Sequence, residues 1–289
     1  MPIIDVANAD DPRLALYRNV PDAALLRDAG VFVAEGRLVV RRLLGDARLT
    51  ARSLMVTRTA LAALGDPTVT HPALPVYVVP QDVMNGVTGF NLHRGCLALA
   101  ERPPAREWTD VIGTVEGGPQ GPPRFVVLER VGNADNVGSI FRSAAALGAG
   151  AVLIGPGCAD PLYRKAIRTS MGTALSLPFA ELTPWPECLD RLSDVGVALV
   201  GLTPAAAAAP LADVASAVAG RPVALLLGHE GDGLSAEALA RCAHHARIPT
   251  TGAVDSLNVA VAAAIALSAF AAFAEASAPR GTSALRSHD

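Results

Sequence analysis

The segment Ile248-Pro-Thr-Thr-Gly-Ala-Val-Asp-Ser-Leu-Asn258 joins a predicted strand to the start of an apolar helix. Ile248 and Pro249 end the strand, a polar loop follows, and the residues from Ser256 to Asn258 open the helix. Ser256 could serve as a simple N-cap. Asn258 is more informative, because a polar side chain at the start of an apolar helix needs hydrogen-bond partners if it is buried. A bound ligand is one such partner.

A glycine-rich turn, Leu227-Gly-His-Glu-Gly-Asp-Gly-Leu234, follows the predicted strand Val223–Leu227. Its glycines allow a flat ligand such as adenosine to approach the backbone closely, and Glu230 offers a hydrogen-bond acceptor. Taken alone, such a turn is more often ordinary loop chemistry. The chain lacks a GxxxxGK pattern followed by Ser or Thr, which disfavours a phosphate-binding P-loop.

A third polar segment, Asn133-Ala-Asp-Asn-Val-Gly-Ser-Ile-Phe-Arg142, follows the predicted strand Phe125–Leu128. Asn136 is predicted to cap the next helix, and Gly138 allows a ligand or a neighbouring chain to approach the backbone. Arg142 ends the segment on that helix. The alternative for this segment alone is a capped helix with one surface arginine.

Strands and helices alternate regularly from Phe125 onward. Continuous Val, Leu and Ile strands separated by helices are typical of a parallel sheet that is covered on both faces. Ligands of such sheets bind beyond the carboxyl ends of the strands, where all three polar segments fall. The predicted strands are 125–128, 151–154, 197–202, 223–227 and 246–248, and the predicted helices are 137–147, 161–171, 211–218, 236–242 and 257–274.

Arg164 and Arg168 lie four residues apart on one predicted helix, with Lys165 between them. Like charges at this spacing repel by about 0.2–0.5 kcal/mol on an isolated helix. A polyanion such as RNA lying against the two arginines would explain the pattern. A solvated charged face explains it equally well.

The first hundred residues alternate short apolar runs with helical stretches, which predicts a small α/β domain. A segment rich in proline and glycine follows and indicates a linker. The predicted strands of the first domain are 31–34, 53–56, 75–79 and 96–100, with a helix over 35–44. The predicted units are a first domain over residues 1–110, a linker over 111–123, a second domain over 124–276 and a flexible tail over 277–289.

Composition restricts the class of protein. Of the 289 residues, 51% are hydrophobic and 18% are charged, which is typical of a globular chain. The net charge of −3 argues mildly against nucleic-acid binding, although electrostatic steering depends on a local patch and not on the total. The four cysteines show no CxxC pairing and are typical of a reduced, cytoplasmic protein.

Neither a membrane segment nor a metal site is predicted. The N-terminal residues do not form a signal peptide. The apolar stretch 257–274 consists mostly of Ala, and we interpret it as a buried helix. The cluster of Cys242, His244 and His245 lacks a second pair of ligands, which makes a structural role more plausible than zinc binding.

Together, the three polar segments resemble the signature of the SPOUT methyltransferases, specifically of the SpoU (TrmH-like) branch. The resemblance covers nearly all of residues 125–275. It implies transfer of a methyl group from S-adenosyl-L-methionine to a ribose 2′-hydroxyl of RNA. It also implies a parallel-sheet α/β fold with a C-terminal trefoil knot, and an obligate homodimer in which the partner chain completes each active site.

The resemblance also implies roles for individual residues, without a metal ion. The implied catalytic residues are Asn136, Arg142, Ser256 and Asn258. The implied cofactor pocket is formed by Leu227, Gly228, Glu230, Gly233, Ile248, Ser256, Leu257 and Asn258. The candidate RNA contacts are Arg37, Arg142, Arg164 and Arg168.

The first domain resembles the RNA-binding domain that precedes the catalytic domain in rRNA-directed members, a domain that is similar to ribosomal protein L30e. The similarity rests on Phe32-Val-Ala-Glu-Gly-Arg-Leu-Val-Val40, Leu74-Pro-Val-Tyr-Val-Val79 and Arg94-Gly-Cys-Leu-Ala98. It makes Arg37 an implied RNA contact, with an ordinary surface arginine as the alternative. This additional domain favours rRNA, and 23S rRNA in particular, over tRNA as the substrate.

Two positions depart from the family pattern and bear on substrate choice. Many members carry Asp-Pro where this chain has Asn133-Ala134, and His229 stands where Asn or a small polar residue is common. The arginine that matches Arg142 is usually given the role of base. Because a guanidinium is a poor base at neutral pH, we expect Arg142 to stay cationic, orient a phosphate and stabilise charge on the 2′-oxygen.

Two alternatives remain open at the level of the sequence: a tRNA 2′-O-methyltransferase and a non-catalytic RNA-binding protein of the same fold. The presence of Asn136, Arg142, Glu230 and Asn258 argues against the second. A nucleotide-dependent dehydrogenase is disfavoured because the chain lacks a complete GxGxxG pattern, and a serine hydrolase because it lacks GxSxG.

Overall fold

The computed structural model describes residues 3–20, 22–92, 95–117 and 121–277. Arg94, the middle of the predicted linker and nearly all of the predicted tail lie outside these ranges. The chain forms two separate sheets, one from the N-terminal part and one from the C-terminal part.

The first sheet is mixed and has five strands: β1 (Ile3–Asp5), β2 (Val31–Glu35), β3 (Ala51–Val56), β4 (Val76–Val78) and β5 (Cys96–Glu101). Their spatial order is β1-β4-β3-β5-β2. Strands β1, β4 and β3 pair in parallel, whereas β5 is antiparallel to both of its neighbours. The sequence predicted all of these strands except the three-residue β1.

Helices cover both faces of this sheet, as the two hydrophobic clusters on its opposite sides require. A 3-10 helix spans Pro12–Asn19. The α-helices are α1 (Ala23–Asp28), α2 (Arg37–Gly45), α3 (Arg58–Leu64) and α4 (Gln81–Thr88).

The second sheet has seven strands: β6 (Arg124–Leu128), β7 (Ala151–Ile154), β8 (Phe179–Glu181), β9 (Ala198–Leu202), β10 (Ala209–Pro210), β11 (Val223–Leu227) and β12 (His244–Arg247). Their order is β10-β12-β9-β11-β6-β7-β8, and every neighbouring pair is parallel. The predicted α/β class with a parallel sheet is confirmed. The short edge strands β8 and β10 were not predicted, and β12 ends at Arg247, so Ile248 lies just beyond it.

Helices also cover both faces of the second sheet. The helices α6 (Ala134–Ala146), α9 (Leu211–Ala217) and α11 (Val259–Ser277) pack on one face. The helices α5 (Trp108–Gly113), α8 (Glu187–Asp194) and α10 (Ala236–Arg241) pack on the other. A short helix, α7 (Arg164–Thr169), contacts both α6 and β2 of the first sheet.

The caps of α6 and α11 differ from the candidates in the sequence. Asn133, and not Asn136, caps α6, since its side chain accepts a hydrogen bond from the backbone N–H of Asp135 at 2.9 Å. Asn136 lies inside the helix. Asn258, and not Ser256, caps α11, where its Oδ1 accepts from the N–H groups of Ala260 and Val261. In both cases several capping residues lie close together in the sequence, and tertiary contacts select one of them.

The hydrophobic core around the second sheet includes residues that precede the predicted start of the second domain at residue 124. Trp108, which was predicted to belong to the first domain, is 2% exposed. It packs in one cluster with Phe125 and Leu189 of the second domain. Its indole N–H donates to the carbonyl of Thr183. Helix α5 therefore belongs to the C-terminal unit.

Asp160 joins the two sheets electrostatically. Its carboxylate accepts two hydrogen bonds from the Arg102 guanidinium, at 2.8 and 2.9 Å, and lies 3.1 Å from Arg27. Burial raises the pKa of Asp160, but the hydrogen bonds and charge of Arg102, the Leu162 N–H and the charge of Arg27 together outweigh this effect, so the pKa lies below its usual value. The folded protein therefore favours the ionised carboxylate.

None of the helices within the described ranges combines the length and hydropathy that crossing a membrane requires. Helix α11, the most apolar of them, packs through residues such as Ala263 and Leu267 against the second sheet.

We predict that Asp160→Asn lowers the free energy of unfolding by about 1.5–3 kcal/mol at pH 7, since it removes charged hydrogen bonds from a buried group. A depressed carboxyl pKa stabilises the fold above the unfolded-state pKa and ceases to do so as the pH falls through the folded-state value. Urea titrations should therefore show that the deficit of the variant shrinks below about pH 4. The exposed Asp28→Asn serves as a control. A deficit that stayed constant down to pH 3 would contradict this assignment.

Candidate active site

A cleft of about 440 Å³ opens at the carboxyl ends of β9, β11 and β12. Three loops form its walls, over residues 202–205, 227–234 and 246–257. This is the edge of a parallel sheet at which ligands bind. Seven of the eight residues predicted to hold the cofactor line the cleft: Leu227, Gly228, Glu230, Gly233, Ile248, Ser256 and Leu257.

The loop over residues 228–234 is a tight turn that is closed by its own backbone. His229 and Gly233 exchange two backbone hydrogen bonds of 3.0 Å. Gly228 allows this closure, because a Cβ atom at this position would lie 2.1 Å from the carbonyl carbon of Gly233. The Nδ1 atom of His229 accepts from the N–H groups of Gly231 and Asp232, at 3.0 and 3.2 Å. The unusual histidine thus stabilises the turn.

Asn136 connects the three polar segments. Its side chain is 8% exposed overall, and its amide nitrogen donates to the Glu230 carboxylate. Its amide oxygen accepts from Nδ2 of Asn258 at 3.1 Å. Since Asn258 also caps α11, one buried amide links α6, the glycine-rich turn and the start of the C-terminal helix. Asn258 itself does not line the cleft, and contributes through this contact.

Two adjacent residues, Glu129 and Arg130, support the glycine-rich turn and were missed by the sequence reading. Glu129 is 2% exposed, and its carboxylate accepts from the Ser235 N–H at 2.7 Å and from the Trp185 indole at 3.2 Å. Arg130 donates to the Gly233 carbonyl at 3.2 Å. The signal was available, because both charged residues directly follow β6 at the edge where the other polar segments lie.

Arg142 and Ser256 do not join the contacts of Asn136. Ser256 is exposed and lines the cleft. Arg142 is exposed on α6 and does not line the cleft. Within the described part of the chain, no hydrogen bond or ion pair of Arg142 is present. The arrangement leaves the guanidinium available to an external group.

Contrary to the prediction, Arg164 is not exposed for contact with RNA. Arg164 is only 8% exposed, and its guanidinium forms an ion pair with the buried Glu35. Arg168 is half-buried and lies between Glu35, at 4.0 Å, and Asp135, at 3.9 Å. Carboxylates of the protein itself therefore offset the like charges that suggested a polyanion.

A second and larger cleft, of about 1120 Å³, lies in the first domain at the carboxyl ends of β1, β3 and β4. Arg37 lines it and is exposed, which fits both an RNA contact and an ordinary surface arginine. Arg41 and Arg58 line it as well. It is remote from the contacts of Asn136, so its greater volume does not make it the candidate active site.

The thiols of Cys242, which is buried, and of Cys158, which is half-buried, are held in their protonated form. Burial raises the pKa of Cys242 to about 12 and that of Cys158 to about 11. Both thiols are therefore protonated at neutral pH. Cys242 donates to the carbonyl of Ala238, and the His245 ring lies 2.9 Å from the carbonyl of Leu239. These side chains have partners within the fold.

Comparison with known proteins identifies the family. The model of the SpoU rRNA Methylase family matches residues 123–268. The chain is 42% identical to an uncharacterised tRNA/rRNA methyltransferase of Mycobacterium bovis, over 91% of this chain and 89% of the relative. The chain belongs to the SpoU rRNA methylase family. It is an RNA methyltransferase, and the methyl donor of these enzymes is S-adenosylmethionine.

Two further similarities extend beyond the matched region. A 23S rRNA (guanosine-2′-O-)-methyltransferase of Ralstonia nicotianae, RlmB, is 30% identical over 68% of this chain and 76% of that protein. The crystal structure of an rRNA methyltransferase from Sinorhizobium meliloti with bound S-adenosylmethionine superposes with a TM-score of 0.76 at 25% identity, over 93% of this chain and 97% of that chain. Both sheets of this SpoU-family protein therefore have a counterpart.

The active-site cleft fits S-adenosylmethionine in size and chemistry. Its volume of about 440 Å³ lies in the range of small-ligand pockets. Leu227 and Leu257 give the cleft apolar walls of the kind that an aromatic ring requires. The carboxylates of Glu230 and Asp255 line the cleft as well and suit the positive charges of a sulfonium and an ammonium group.

We predict that Gly228→Ala weakens S-adenosylmethionine binding by about 10- to 100-fold, because overpacking of this kind costs roughly 1–3 kcal/mol. The added methyl group would push the Gly233–Leu234 peptide away from Gly228 and open the turn. Gly231→Ala is the matched control in the same turn, since its Cβ would meet only the His229 ring at 3.4 Å. Titration calorimetry measures both affinities, and equal losses in the two variants would refute the role given to Gly228.

Proposed function

We propose that this SpoU-family enzyme methylates a ribose 2′-hydroxyl of RNA, and that its substrate is 23S rRNA. The observation that carries the proposal is the contact of Asn136 with both Glu230 and Asn258, which assembles the three polar segments beside one ligand-sized cleft. S-adenosylmethionine supplies a methyl group that is already electrophilic, so the residues of the chain have to bind, orient and stabilise charge.

The division of labour follows from placement. The turn over residues 228–234, together with Ile248 and Leu257, holds the donor. Asn136 and Asn258 fix the relative position of the turn and α11, while Ser256 at the rim is accessible to the incoming ribose. Arg142 stays cationic, binds a substrate phosphate and stabilises negative charge on the attacking oxygen. Holding the two reactants in line supplies much of the rate acceleration.

A homodimer would bring Arg142 to a cleft. Val261 and Ile265 lie four residues apart on one face of α11 and are 48% and 38% exposed, so this face of the helix presents apolar surface to solvent. Helix α6, which carries Arg142, packs against α11. A second copy seated on this surface would cover the apolar side chains and place the arginine of one protomer near the cleft of its partner.

The implied trefoil knot belongs to the same proposal. The loop over residues 248–258 reaches the wall formed by residues 202–205 and 227–234, which is the neighbourhood that threading of the C-terminal segment through a loop would create. The knot would hold the walls of the donor site together, so that their positions would not depend on side-chain packing alone.

The RNA contacts proposed here are Arg142 and the arginines of the first-domain cleft, whereas Arg168 already faces Glu35 and Asp135. Arg37 is exposed there beside Arg41 and Arg58, and a guanidinium cluster of this kind suits phosphates. An L30e-like first domain that binds rRNA is consistent with this placement. The 23S rRNA activity named for the Ralstonia relative favours that RNA, and a tRNA substrate is the alternative.

The assignment is tested by incubating the protein with methyl-labelled S-adenosylmethionine and an RNA substrate. The RNA is 23S rRNA or tRNA, isolated from a strain that lacks this protein. We expect label in 23S rRNA at a ribose, detected as a phosphodiester that resists alkaline hydrolysis. Label in a base would overturn 2′-O-methylation, and label in tRNA alone would overturn the rRNA assignment. Donor binding without transfer to either RNA would favour a non-catalytic RNA-binding protein.

We predict that Arg142→Lys lowers turnover by about 100- to 1000-fold, the usual cost of losing a transition-state charge contact. The charge is kept but the planar fork is lost. Donor affinity should change by less than about twofold, because Arg142 does not line the cleft. Arg221→Lys, at the amino end of β11, is the control. Full turnover in Arg142→Lys would exclude the proposed role.

A further inference from the structure

Glu35 occupies the boundary between the two units of the chain. It ends β2, the strand that precedes Arg37 and the first-domain cleft. Its side chain is 8% exposed, and so is almost entirely withdrawn from water. The carboxylate accepts a hydrogen bond from Arg164 of α7, in the C-terminal unit. A buried ion pair of this kind fixes geometry more than it adds stability.

Arg164 is buried between two side chains of the first domain, although its Nε has no hydrogen-bond partner among the described residues. Its side chain is 9% exposed, and its guanidinium carbon lies 4.4 Å above the centre of the Phe90 ring. Both Glu35 and Phe90 belong to the first domain. Nearby, Leu162 and Ile167 pack in the cluster of Phe32, in the core of the first domain. Helix α7 therefore packs with the first domain, although it lies in the C-terminal part of the sequence.

The same helix sets the position of α6. Gly138 of α6 faces α7 so closely that a Cβ atom there would lie 2.5 Å from the Ala166 carbonyl oxygen. The Thr169 hydroxyl donates to Asp135 at 2.7 Å. Gly138 and Asp135 lie in the first turns of α6, beside Asn136 and ahead of Arg142. Any shift of α7 is thus transmitted to the helix that carries both functional side chains.

Arg168 gives the link a second, electrostatic path. It lies between Glu35, at 4.0 Å, and Asp135, at 3.9 Å. One arginine thereby connects the buried acid of the first domain with the first turn of α6. Among the described residues, Arg164 forms an ion pair with Glu35 alone, whereas Arg168 lies between Glu35 and Asp135.

We propose that Glu35 is a positioning residue for methyl transfer: through Arg164 and Arg168 it places α7, and hence Asn136 and Arg142, relative to the RNA-binding domain. The inference rests on the proposed function, since it assigns the first domain a part in the catalytic step beyond holding RNA. RNA bound beside Arg37 and the alignment of Arg142 are then coupled, because Arg37 lies only two residues from Glu35.

The first test needs neither RNA nor donor. Hydrogen exchange of residues 134–142 is compared in the wild type, Glu35→Gln and Glu101→Gln, an exposed first-domain carboxylate that pairs only with Arg52 among the described residues. We expect exchange in α6 to accelerate at least about threefold in Glu35→Gln while β11 is unchanged. Unchanged α6 exchange, or equal acceleration in both sheets, would show that Glu35 only contributes to general stability.

The second test is kinetic and uses labelled donor with 23S rRNA from the deficient strain. Glu35→Gln should lower turnover by about 10- to 100-fold, as expected when reacting groups are misplaced by up to an ångström. Donor affinity should stay within twofold, and Glu101→Gln should match the wild type. Full turnover in Glu35→Gln would overturn the proposal. If the wild type itself fails to methylate RNA, the proposed function falls, whereas the exchange experiment still tests the positioning role.

Arg168→Gln provides a variant that should fold even if Glu35→Gln does not, because Arg168 is half-exposed. It should slow transfer in the same direction by a smaller factor. If the two residues act through one path, the double variant is no slower than Glu35→Gln alone. Multiplicative losses in the double variant would contradict a shared path.

Discussion

The amide of Asn136 makes the contacts on which the active site depends. It donates to Glu230 and accepts from Asn258, so that three segments far apart in the sequence meet at one buried group. A buried amide is costly unless its hydrogen bonds are satisfied. The fold meets that requirement only when α6, the glycine-rich turn and the start of α11 are all in place, which ties formation of the cleft to the overall architecture.

Helix α7 shows how charge in a sequence can have an internal explanation. Arg164 and Arg168 form a like-charged pair, and from the sequence alone bound RNA was one explanation for it. Glu35 and Asp135 supply the opposite charges instead. The first domain is therefore connected to α6 by ion pairs as well as by apolar packing, and a proline- and glycine-rich connection between the two units does not imply that they move independently.

The regular apolar strands of the second domain were predictable because parallel strands buried on both faces need continuous Val, Leu and Ile runs. The members of the cleft could be named from their place after those strands and from the family resemblance. Strands β1, β8 and β10 escaped prediction because two or three residues carry no periodicity. The burial of Arg164, and the contacts of Asn136 with Glu230 and Asn258, involve distant segments that no local pattern contains.

The most direct test of the central role of Asn136 is a double-mutant cycle on S-adenosylmethionine affinity, with Asn136→Ala, Asn258→Ala and the double variant measured by titration calorimetry. If the two side chains act through their mutual hydrogen bond, the interaction energy should be at least about 0.5 kcal/mol. Losses that add to within about 0.3 kcal/mol would mean that the three segments do not form one cooperative site.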